Sequence, residues 1–405
     1  MILEGRGRRW LAGAGLAVLL VQAGSFWLLW GASDGAYWSS GDVRFGDLAK
    51  HYGAGLFWRE GRAEDLYQQG RLGRWLDELQ REGKPREPAS GTAGFNYVYA
   101  PLVAWVASWG SRNSYATFGI VWLAISLFAW IGTLVGLREL IGWRWNDPVV
   151  WLWAFTFPAA YYGLVLGQNH TVTLAVLVGV GFLLRRDHEV SAGLVLACLF
   201  YKPQWSVFLA VMLGLWGHGR VFVGWTIGTL VWSVLTLAVG GMELTRDWLG
   251  VVAGMETGQQ NQVGNLNQTW RGLLATIFPA LPGWIATAGA AVIWAVGAAW
   301  LGWARREMPP EKRRVEDLWV AAGFGVFAMP YVMHYDVVMM VPLWLIAICH
   351  SKDVLVISAL IGTVVAGWLS INLGNVPVAW MAPVWTILFA ALIRPLLPGE
   401  VHHDG

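Results

Sequence analysis

Long apolar segments recur along almost the whole chain, and they constrain its fold more than any other feature. The segment from Trp10 to Gly31 contains no charged residue, and several later segments are as apolar. Hydrophobic residues make up 56% of the sequence and charged residues 13%, whereas a soluble domain carries about 25% charged residues. Backbone groups in lipid must pair within their own segment. The sequence therefore predicts an all-α polytopic membrane protein.

Twelve candidate spans can be assigned, so both chain ends are expected on the same side of the membrane. The first apolar run is longer than a signal-peptide core, and no small-residue cleavage site follows it. We therefore expect a retained first helix. A full crossing needs about 20 residues, and residues 191–201 and 204–217 are short by that measure. The predicted spans are residues 10–31, 114–137, 148–166, 171–184, 191–201, 204–217, 221–241, 273–304, 318–333, 337–349, 354–371 and 377–393.

Basic residues divide unequally between the short loops on the two sides. With the N-terminal side taken as cytoplasmic, fifteen lysines and arginines fall there, and Lys202, Arg246 and Arg271 are the three in short outer loops. Such a bias indicates orientation, and long loops are exempt from it. We expect both termini in the cytoplasm and the protein in the inner, or plasma, membrane. The basic stretch 305–314 is interpreted as an anchor to anionic lipid, so no nucleic-acid partner is expected.

The first outer loop, residues 32–113, contains two stretches with helical periodicity. Apolar residues recur every four residues over 48–56 and at i, i+3, i+4 and i+7 over 72–79. Such patterns suit interfacial helices with one apolar face in lipid. Residues 83–94 are predicted to be a flexible connector. We treat residues 1–405 as a single integral membrane domain with 32–113 as its outer loop.

Five polar clusters fall in the outer loops or at the outer ends of the predicted spans. In one of them, Lys202, Pro203 and Gln204 interrupt an apolar hairpin. In another, Asp336 falls at membrane depth, where a charge is costly unless it is paired. Each cluster alone has an ordinary explanation, such as a snorkelling lysine, turn residues, a core histidine or a helix-capping Asp47. Their occurrence on one side favours an outward-opening polar cavity. The clusters are residues 41–52, 166–171, 201–206, 264–272 and 329–338.

Seven short motifs follow one another over about 290 residues. In order they are D-x-x-x-x-Y, L-Y, Y-x-P-L, G-Q-N, K-P-Q, N-Q-T and P-Y-x-x-H-Y-D. Together they resemble glycosyltransferase family 87, formerly classed as DUF 2029, which belongs to the GT-C membrane glycosyltransferases. The matching positions are Asp47, Tyr52, Leu66–Tyr67, Tyr99–Leu102, Gly167–Asn169, Lys202–Gln204, Asn267–Thr269 and Pro330–Asp336.

The resemblance implies a hexosyltransferase with a GT-C-like bundle of about twelve transmembrane helices. Such enzymes take a sugar, often mannose, from a polyprenyl-phosphate sugar and pass it to a lipid-linked or cell-envelope glycan. They act on the outer face and invert the anomeric centre. The expected base is an Asp of the first outer loop, here Asp47, with Asp34 and Asp42 as rivals. No cofactor is expected; a divalent metal held by Asp47, His334 and Asp336 is the less favoured alternative.

The residue types suit this chemistry. A carboxylate takes the proton of the attacking hydroxyl, and a cation stabilises the leaving phosphate. Lys202 and Arg271 are the candidates for binding the donor phosphate, and Arg271 can bind it bidentately. His334 is the second catalytic candidate, either donating to the phosphate or orienting the acceptor. Sugar or acceptor contacts are predicted for Tyr52, Tyr99, Gln168, Asn169, His170, Gln204, Asn267, Gln268, Trp270, Tyr335 and Asp336.

Two other classes of function remain open at the level of sequence. A secondary transporter of a small polar or sugar-lipid solute would also have broken helices and intramembrane charges. Transporters tend to show paired repeats, and no repeat relates residues 1–200 to 201–405. The third class is an assembly factor without catalysis. Cys198 and Cys349 lie far apart in apolar runs and indicate neither a disulfide framework nor a metal site.

Overall fold

The structure, a computed structural model, describes residues 6–31, 36–39, 42–68, 70–83, 97–258, 267–280, 282–350, 354–372 and 380–397. The regular elements in these ranges are helices, and the isolated β-type contact among them joins Tyr37 and Val43. The predicted all-α class is therefore confirmed for the described part of the chain. Asp34 and residues 84–94 of the predicted connector lie outside it.

The helices vary widely in length, and many are shorter than a membrane crossing. The described α-helices are α1 (Arg6–Gly31), α2 (Gly46–Arg59), α3 (Arg71–Gly83), α4 (Pro101–Gly110), α5 (Tyr115–Ile141), α6 (Pro148–Phe155), α7 (Pro158–Leu166), α8 (His170–Arg185), α9 (Glu189–Ala197), α10 (Pro203–Leu215), α11 (Gly219–Gly258), α12 (Trp270–Ile277), α13 (Gly283–Arg305), α14 (Pro310–Ala328), α15 (Val341–His350), α16 (Val354–Asn372) and α17 (Met381–Leu392). Helices of the 3-10 type are Ala63–Tyr67, Cys198–Tyr201, His334–Met340 and Arg394–Leu396.

Five helical segments of the described residues are long and apolar enough to cross a membrane. They are Ala12–Trp30, Tyr115–Ile141, Pro148–Leu166, Gly219–Ala253 and Gly283–Arg305. Six further apolar helices have 10–17 residues, among them α8, α9 with its 3-10 extension, and α10. The membrane-protein class is thus supported, and the number of twelve spans stays a prediction.

The segment 201–206 breaks a helix pair, as predicted from its lysine and proline. Helix α9 continues into the 3-10 helix Cys198–Tyr201, and Lys202 then takes a non-helical conformation with φ −118° and ψ 75°. Pro203 starts α10, a position where its missing N–H has no helical partner to lose. Lys202 therefore lies at the junction of two helices, with only 4% of its surface exposed.

Helices α2 and α3 form within residues 32–113, the predicted first outer loop, but their apolar faces pack against protein. Leu48 is 1% exposed and Leu72 is 2% exposed. A Cβ on Gly55 would lie 2.7 Å from the Ala107 carbonyl oxygen, so α2 meets the α4 backbone directly. The predicted helices are confirmed, whereas the predicted lipid contact of their apolar faces is wrong at these positions. Helix α4 supplies a packing partner that the local pattern does not reveal.

A buried ion network lies at the end of α10 away from Lys202. Asp317 accepts hydrogen bonds from Arg305 Nε at 2.8 Å and from His218 Nε2 at 2.9 Å. His218 Nδ1 lies 3.1 Å from a Glu189 oxygen, and Arg305 also donates to the Leu396 carbonyl at 2.6 Å. The network joins α9, α13, α14 and the final 3-10 helix. Lys202, a residue of the predicted site, lies at the opposite end of α10.

Candidate active site

Asp47 lies in the first turn of α2, two residues after Phe45, the N-cap residue of that helix. Phe45 has a left-handed conformation with φ 52° and ψ 51°, which a non-glycine residue keeps only when its surroundings hold it. Its ring packs edge-on against Trp38, with centroids 5.4 Å apart. The Tyr115 hydroxyl donates to the carbonyl groups of Arg44 and Phe45. These contacts set the position from which the Asp47 side chain leaves the helix.

The turn between α7 and α8 brings Gln168 to Asp47. Gly167 has φ 70°, and a Cβ there would lie 2.6 Å from the Phe45 Cβ and 2.8 Å from the Leu48 Cβ. Glycine alone meets both the left-handed conformation and this close approach without strain. The buried Gln168 then donates from Nε2 to Asp47 Oδ2 at 2.5 Å.

Lys50 pairs with the other oxygen of the same carboxylate. Its Nζ lies 2.7 Å from Asp47 Oδ1, and the two side chains are 34% and 24% exposed. Burial raises the pKa of Asp47, but the charge and hydrogen bond of Lys50, the Gln168 donor and the nearby His334 outweigh it and leave that pKa below 3.8. Asp47 is therefore ionised at neutral pH.

A second, more deeply buried ion pair joins Lys202 to Asp336. The Lys202 Nζ lies 2.9 Å from Asp336 Oδ1, and the two side chains are 5% and 2% exposed. Asp336 Oδ2 accepts from the Met333 backbone N–H at 3.3 Å, and the ammonium lies 5.1 Å from the centre of the Tyr335 ring. The expectation that a carboxylate at this depth needs a partner is met by Lys202.

Tyrosines link the two ion pairs. Burial, then the charge of Asp47, then that of Asp336 raise the pKa of the Tyr99 hydroxyl. Tyr331 lies within electrostatic reach of the same two carboxylates. Each hydroxyl is thus within electrostatic reach of both carboxylates, so the residues from α2 and from the segment after α14 face one site.

His51 belongs to the same site. Its ring lies 4.5 Å from the Tyr99 ring, and its Nδ1 lies 3.3 Å from the Tyr97 hydroxyl. Burial first, and then the charge of Lys50, lower the pKa of His51 to about 4. His51 is therefore neutral at pH 7.

Several buried polar atoms of predicted site residues have no hydrogen-bond partner among the described residues. His334 packs against Tyr162, with ring centroids 4.6 Å apart. Among the described residues, its buried Nε2 has no hydrogen-bond partner, and the same holds for Asn169 Oδ1, Thr171 Oγ1 and Gln268 Nε2. Buried polar atoms are paired in most folded proteins, so these atoms have hydrogen-bonding capacity that a ligand could use, although unpartnered atoms also occur elsewhere among the described residues, as on Ser126 and Trp294.

The motif 267–269 holds the segment that precedes His334. Asn267 Nδ2 donates to the Pro330 carbonyl at 2.9 Å, and its Oδ1 accepts from the Val332 N–H at 3.1 Å. The Gln268 N–H donates to the Val332 carbonyl at 3.0 Å. Both ends of the Asn267 amide are therefore engaged with the backbone, which makes Asn267 a positioning residue.

For other residues predicted for the site, the hydrogen bonds that the structure describes run to partners outside the two ion pairs. Gln204 is half-buried in the first turn of α10. Gln268 Oε1 accepts from Trp385 Nε1 at 2.7 Å. The remaining hydrogen bonds run from Tyr52 to the Asn113 carbonyl (2.9 Å), from His170 Nε2 to the Ala160 carbonyl (3.0 Å), from Trp270 to Thr386 (2.9 Å) and from Arg271 Nε to Thr287 (2.8 Å).

The family model of glycosyltransferase family 87 matches residues 97–330, which is more than half of the 405-residue chain. The chain belongs to glycosyltransferase family 87. Family membership makes it a glycosyltransferase and favours that class over a transporter or an assembly factor. No curated protein and no solved structure matches the chain.

The family 87 match covers part of the site. It includes Tyr99, Gln168, Lys202 and Asn267, and it ends at Pro330. Asp47 lies before the matched range, and the histidine and aspartate at 334 and 336 lie after it. Their placement in the site therefore comes from the geometry alone.

Sequence reasoning missed Lys50 and His51 as members of the site. A usable signal was present for Lys50, because residues at i and i+3 are neighbours on a helix surface and Lys50 is three residues after Asp47. Asp42, the rival base, is exposed, and its backbone carbonyl accepts from the Trp38 N–H at 2.8 Å.

The expected independence of a metal remains a prediction. Within the described ranges, no group of three or more His, Cys, Asp or Glu side chains is placed to hold a metal ion. Of the residues considered for it, Asp47 and Asp336 each lie against a lysine.

Proposed function

We propose that this enzyme transfers a hexose, with mannose the expected sugar, from a polyprenyl-phosphate sugar to a lipid-linked or cell-envelope glycan. The observation that carries the proposal is a pair of neighbouring contacts, Gln168 with Asp47 and Lys202 with Asp336. His334 lies within electrostatic reach of both carboxylates. These residues come from four separate segments of the chain, and the arrangement offers both a carboxylate base and cations for a phosphate.

The reaction is a single displacement. The acceptor hydroxyl oxygen attacks C1 of the sugar, and the bond from C1 to the phosphate oxygen breaks. Its electron pair stays on that oxygen, giving polyprenyl phosphate, while the hydroxyl proton passes to Asp47. Configuration at C1 inverts because attack and departure occur on opposite faces. A positioned base typically contributes about 10²–10⁴-fold.

The leaving phosphate is assigned to Lys202 and His334. An ammonium has three N–H donors, and Asp336 engages one of them at 2.9 Å. The remaining donors and the His334 Nε2, which has no partner among the residues described, suit a phosphate whose charge grows in the transition state. Arg271 is the other predicted cation: its Nε–H donates to Thr287, and the four N–H groups of its terminal nitrogens are the donors that a phosphate would engage.

Sugar and acceptor contacts are assigned to the polar and aromatic side chains around the ion pairs. Asn169 Oδ1 is buried and unpartnered in the described part of the chain, so it can accept a hydrogen bond from a sugar hydroxyl. Tyr99 and Tyr335 provide ring faces for a pyranose. Asn267 acts through the segment 330–332 that it holds.

The site is assigned to the outer face of the inner, or plasma, membrane, with both termini in the cytoplasm. The support is the excess of basic residues in the short loops of the opposite side. No metal is assigned to the mechanism, and full transfer in the presence of a strong chelator is expected.

The test is sugar transfer by the full chain reconstituted in lipid. Polyprenyl-phosphate [¹⁴C]mannose and an extract of envelope lipids serve as substrates, with a nucleotide-linked mannose as the contrasting donor. We expect label in the acceptor pool from the lipid-phosphate donor alone, with an inverted linkage by NMR of the product. Transfer from the nucleotide-linked donor instead, or retention at C1, would contradict the proposal.

A further inference from the structure

His51 lies one helical turn after Asp47, on the face of α2 that carries the proposed base. Residues four apart on a helix are neighbours, with Cβ atoms about 5–6 Å apart. The charges of Lys50 and Asp47 act on the His51 ring more strongly than the charge of Lys202 does. His51 is therefore nearer to the carboxylate that receives the acceptor's proton than to the lysine assigned to the donor phosphate.

Two tyrosines hold the His51 ring. The Tyr99 ring packs against it with centroids 4.5 Å apart, and the Tyr97 ring meets it edge-on with its hydroxyl 3.3 Å from Nδ1. Tyr97 is 1% exposed, whereas His51 is half-buried. Nδ1 therefore faces the protein interior, and within the described part of the chain the hydrogen bond of the ring is made by Nδ1 and not by Nε2.

The Tyr97 hydroxyl determines which nitrogen of His51 carries the proton. Burial and then the charge of Lys50 lower the pKa of His51 to about 4, so at neutral pH one ring nitrogen is a donor and the other an acceptor. Among the described residues, His51 is the hydrogen-bond partner of the buried Tyr97 hydroxyl. A buried donor without an acceptor is costly. The hydroxyl therefore donates to Nδ1, and the ring proton lies on Nε2.

We propose that His51 binds the acceptor: its Nε2–H donates a hydrogen bond to the hydroxyl next to the attacking one on the acceptor sugar. The inference rests on the proposed function, because it requires Asp47 to receive the acceptor's proton. Asp47 and His51 hold two adjacent hydroxyls of one sugar from successive turns of α2, which orients the attacking oxygen. No proton passes through His51. Tyr97 is a positioning residue, since it acts through the His51 tautomer.

Two amide substitutions at position 51 separate the roles of the two ring nitrogens. The amide of Asn reaches about as far from the backbone as Nδ1, and the amide of Gln about as far as Nε2, and both amides donate and accept. Transfer is measured with the full chain in lipid, saturating polyprenyl-phosphate [¹⁴C]mannose and increasing amounts of the envelope-lipid extract. The initial slope of rate against extract gives the relative kcat/KM for the acceptor.

The two variants should differ in a fixed order. His51→Gln keeps a donor at the position of Nε2, so its slope should stay within about twofold of the wild type. His51→Asn keeps the Tyr97 contact but loses that donor, so its slope should fall about 3- to 10-fold. A histidine that serves only to pack against Tyr97 gives the reverse order. That reverse order, or equal slopes for the two variants, would overturn the proposal.

Tyr97→Phe tests the tautomer. In the wild type it frees Nδ1 to carry the proton, so the slope should fall about threefold. In His51→Gln the same substitution should leave the slope unchanged, because the amide nitrogen carries hydrogens in either case. Equal losses in the two backgrounds would mean that Tyr97 acts on the structure alone, and would contradict the tautomer assignment.

Donor binding shows on which side of the transferred sugar His51 acts. The Kd of sugar-free polyprenyl phosphate in lipid nanodiscs should be the same for the wild type, His51→Asn and His51→Gln. A Kd raised in His51→Asn alone would place His51 at the donor and overturn its assignment to the acceptor. His188→Asn and His188→Gln are the matched controls, because His188 is exposed at the N-cap of α9, and both should transfer at the wild-type rate.

The two levels of proposal fail differently. If the wild type transfers sugar from the lipid-phosphate donor and both His51 variants do so with the wild-type slope, only the role of His51 is rejected. If the wild type takes its sugar from a donor other than a lipid phosphate, the proposed function fails and the inference with it.

Discussion

Removing either charge of the Lys202–Asp336 pair should destabilise the protein far more than removing both. The two side chains are 5% and 2% exposed with their charged atoms 2.9 Å apart. Breaking a buried pair by removing one partner leaves a buried, unpaired charge and costs about 3–5 kcal/mol. We therefore expect that cost for Lys202→Met and for Asp336→Asn. The double variant has no unpaired charge, and about 2 kcal/mol or less of destabilisation is expected for it.

A matched surface pair sets the scale for this coupling. Arg62 and Glu60 are 3.0 Å apart with side chains 46% and 51% exposed. Exposed pairs couple by about 0.2–1 kcal/mol in double-mutant cycles, so the cycle for Arg62→Met and Glu60→Gln should fall in that range. The coupling in the buried pair should exceed it several-fold.

The assay is reversible unfolding of the purified protein with increasing mole fraction of SDS, followed by tryptophan fluorescence, for both cycles. A coupling energy below about 1 kcal/mol for Lys202 and Asp336 would refute the argument from burial. The double variant also tests the role of Lys202 apart from folding: it should remain folded, and its Kd for polyprenyl phosphate should rise about 10-fold or more.

Three further outcomes follow from the packing and charges. Gly193→Ala places a Cβ 2.0 Å from the Val221 carbonyl oxygen and should lower the free energy of unfolding by about 1–3 kcal/mol or more. At Gly132 an added Cβ meets no described atom within 4 Å beyond its own stretch of helix, so Gly132→Ala should change the free energy of unfolding by less than about 1 kcal/mol. Asp317→Asn, which breaks the buried ion network, should cost about 3–5 kcal/mol, whereas Asp187→Asn, at a 61% exposed side chain, should cost less than about 1 kcal/mol in the same assay. Gln168→Leu removes a hydrogen-bond donor that lowers the pKa of Asp47. The pKa of Asp47 should therefore rise, and the acid limb of kcat/KM should lie at a higher pH than in the wild type. An acid limb at the wild-type pH would contradict this role.

The sequence predicted the elements of the fold better than their packing. Apolar length and the lysine–proline break at 202–203 follow from local chemistry, and the structure has that break. The burial of Leu48 was not predictable from its own helix, because an amphipathic pattern does not say whether lipid or another helix covers the apolar face. The residues that bury α2 come from distant segments. Helix α4 packs on it at Gly55, and the α7–α8 turn packs on it at Gly167.

The site shows the same division. The buried carboxylate Asp336 requires a partner wherever it lies, so pairing was predictable, but its identity as Lys202 depends on two segments separated by 134 positions. Lys50 lies one helical turn from Asp47 and could have been assigned from spacing alone. The positioning role of Asn267 could not, since it consists of hydrogen bonds to the backbone of residues 330 and 332.

The most direct test of the account is sugar transfer by Asp47→Asn in reconstituted lipid, compared with Asp42→Asn and the wild type. The amide keeps the shape of the side chain but cannot accept the acceptor's proton. We expect Asp47→Asn to bind polyprenyl phosphate and to lose about 10²-fold or more of the transfer rate, while Asp42→Asn transfers at the wild-type rate. Transfer by Asp47→Asn at the wild-type rate, with loss in Asp42→Asn, would contradict the assignment of Asp47 as the base.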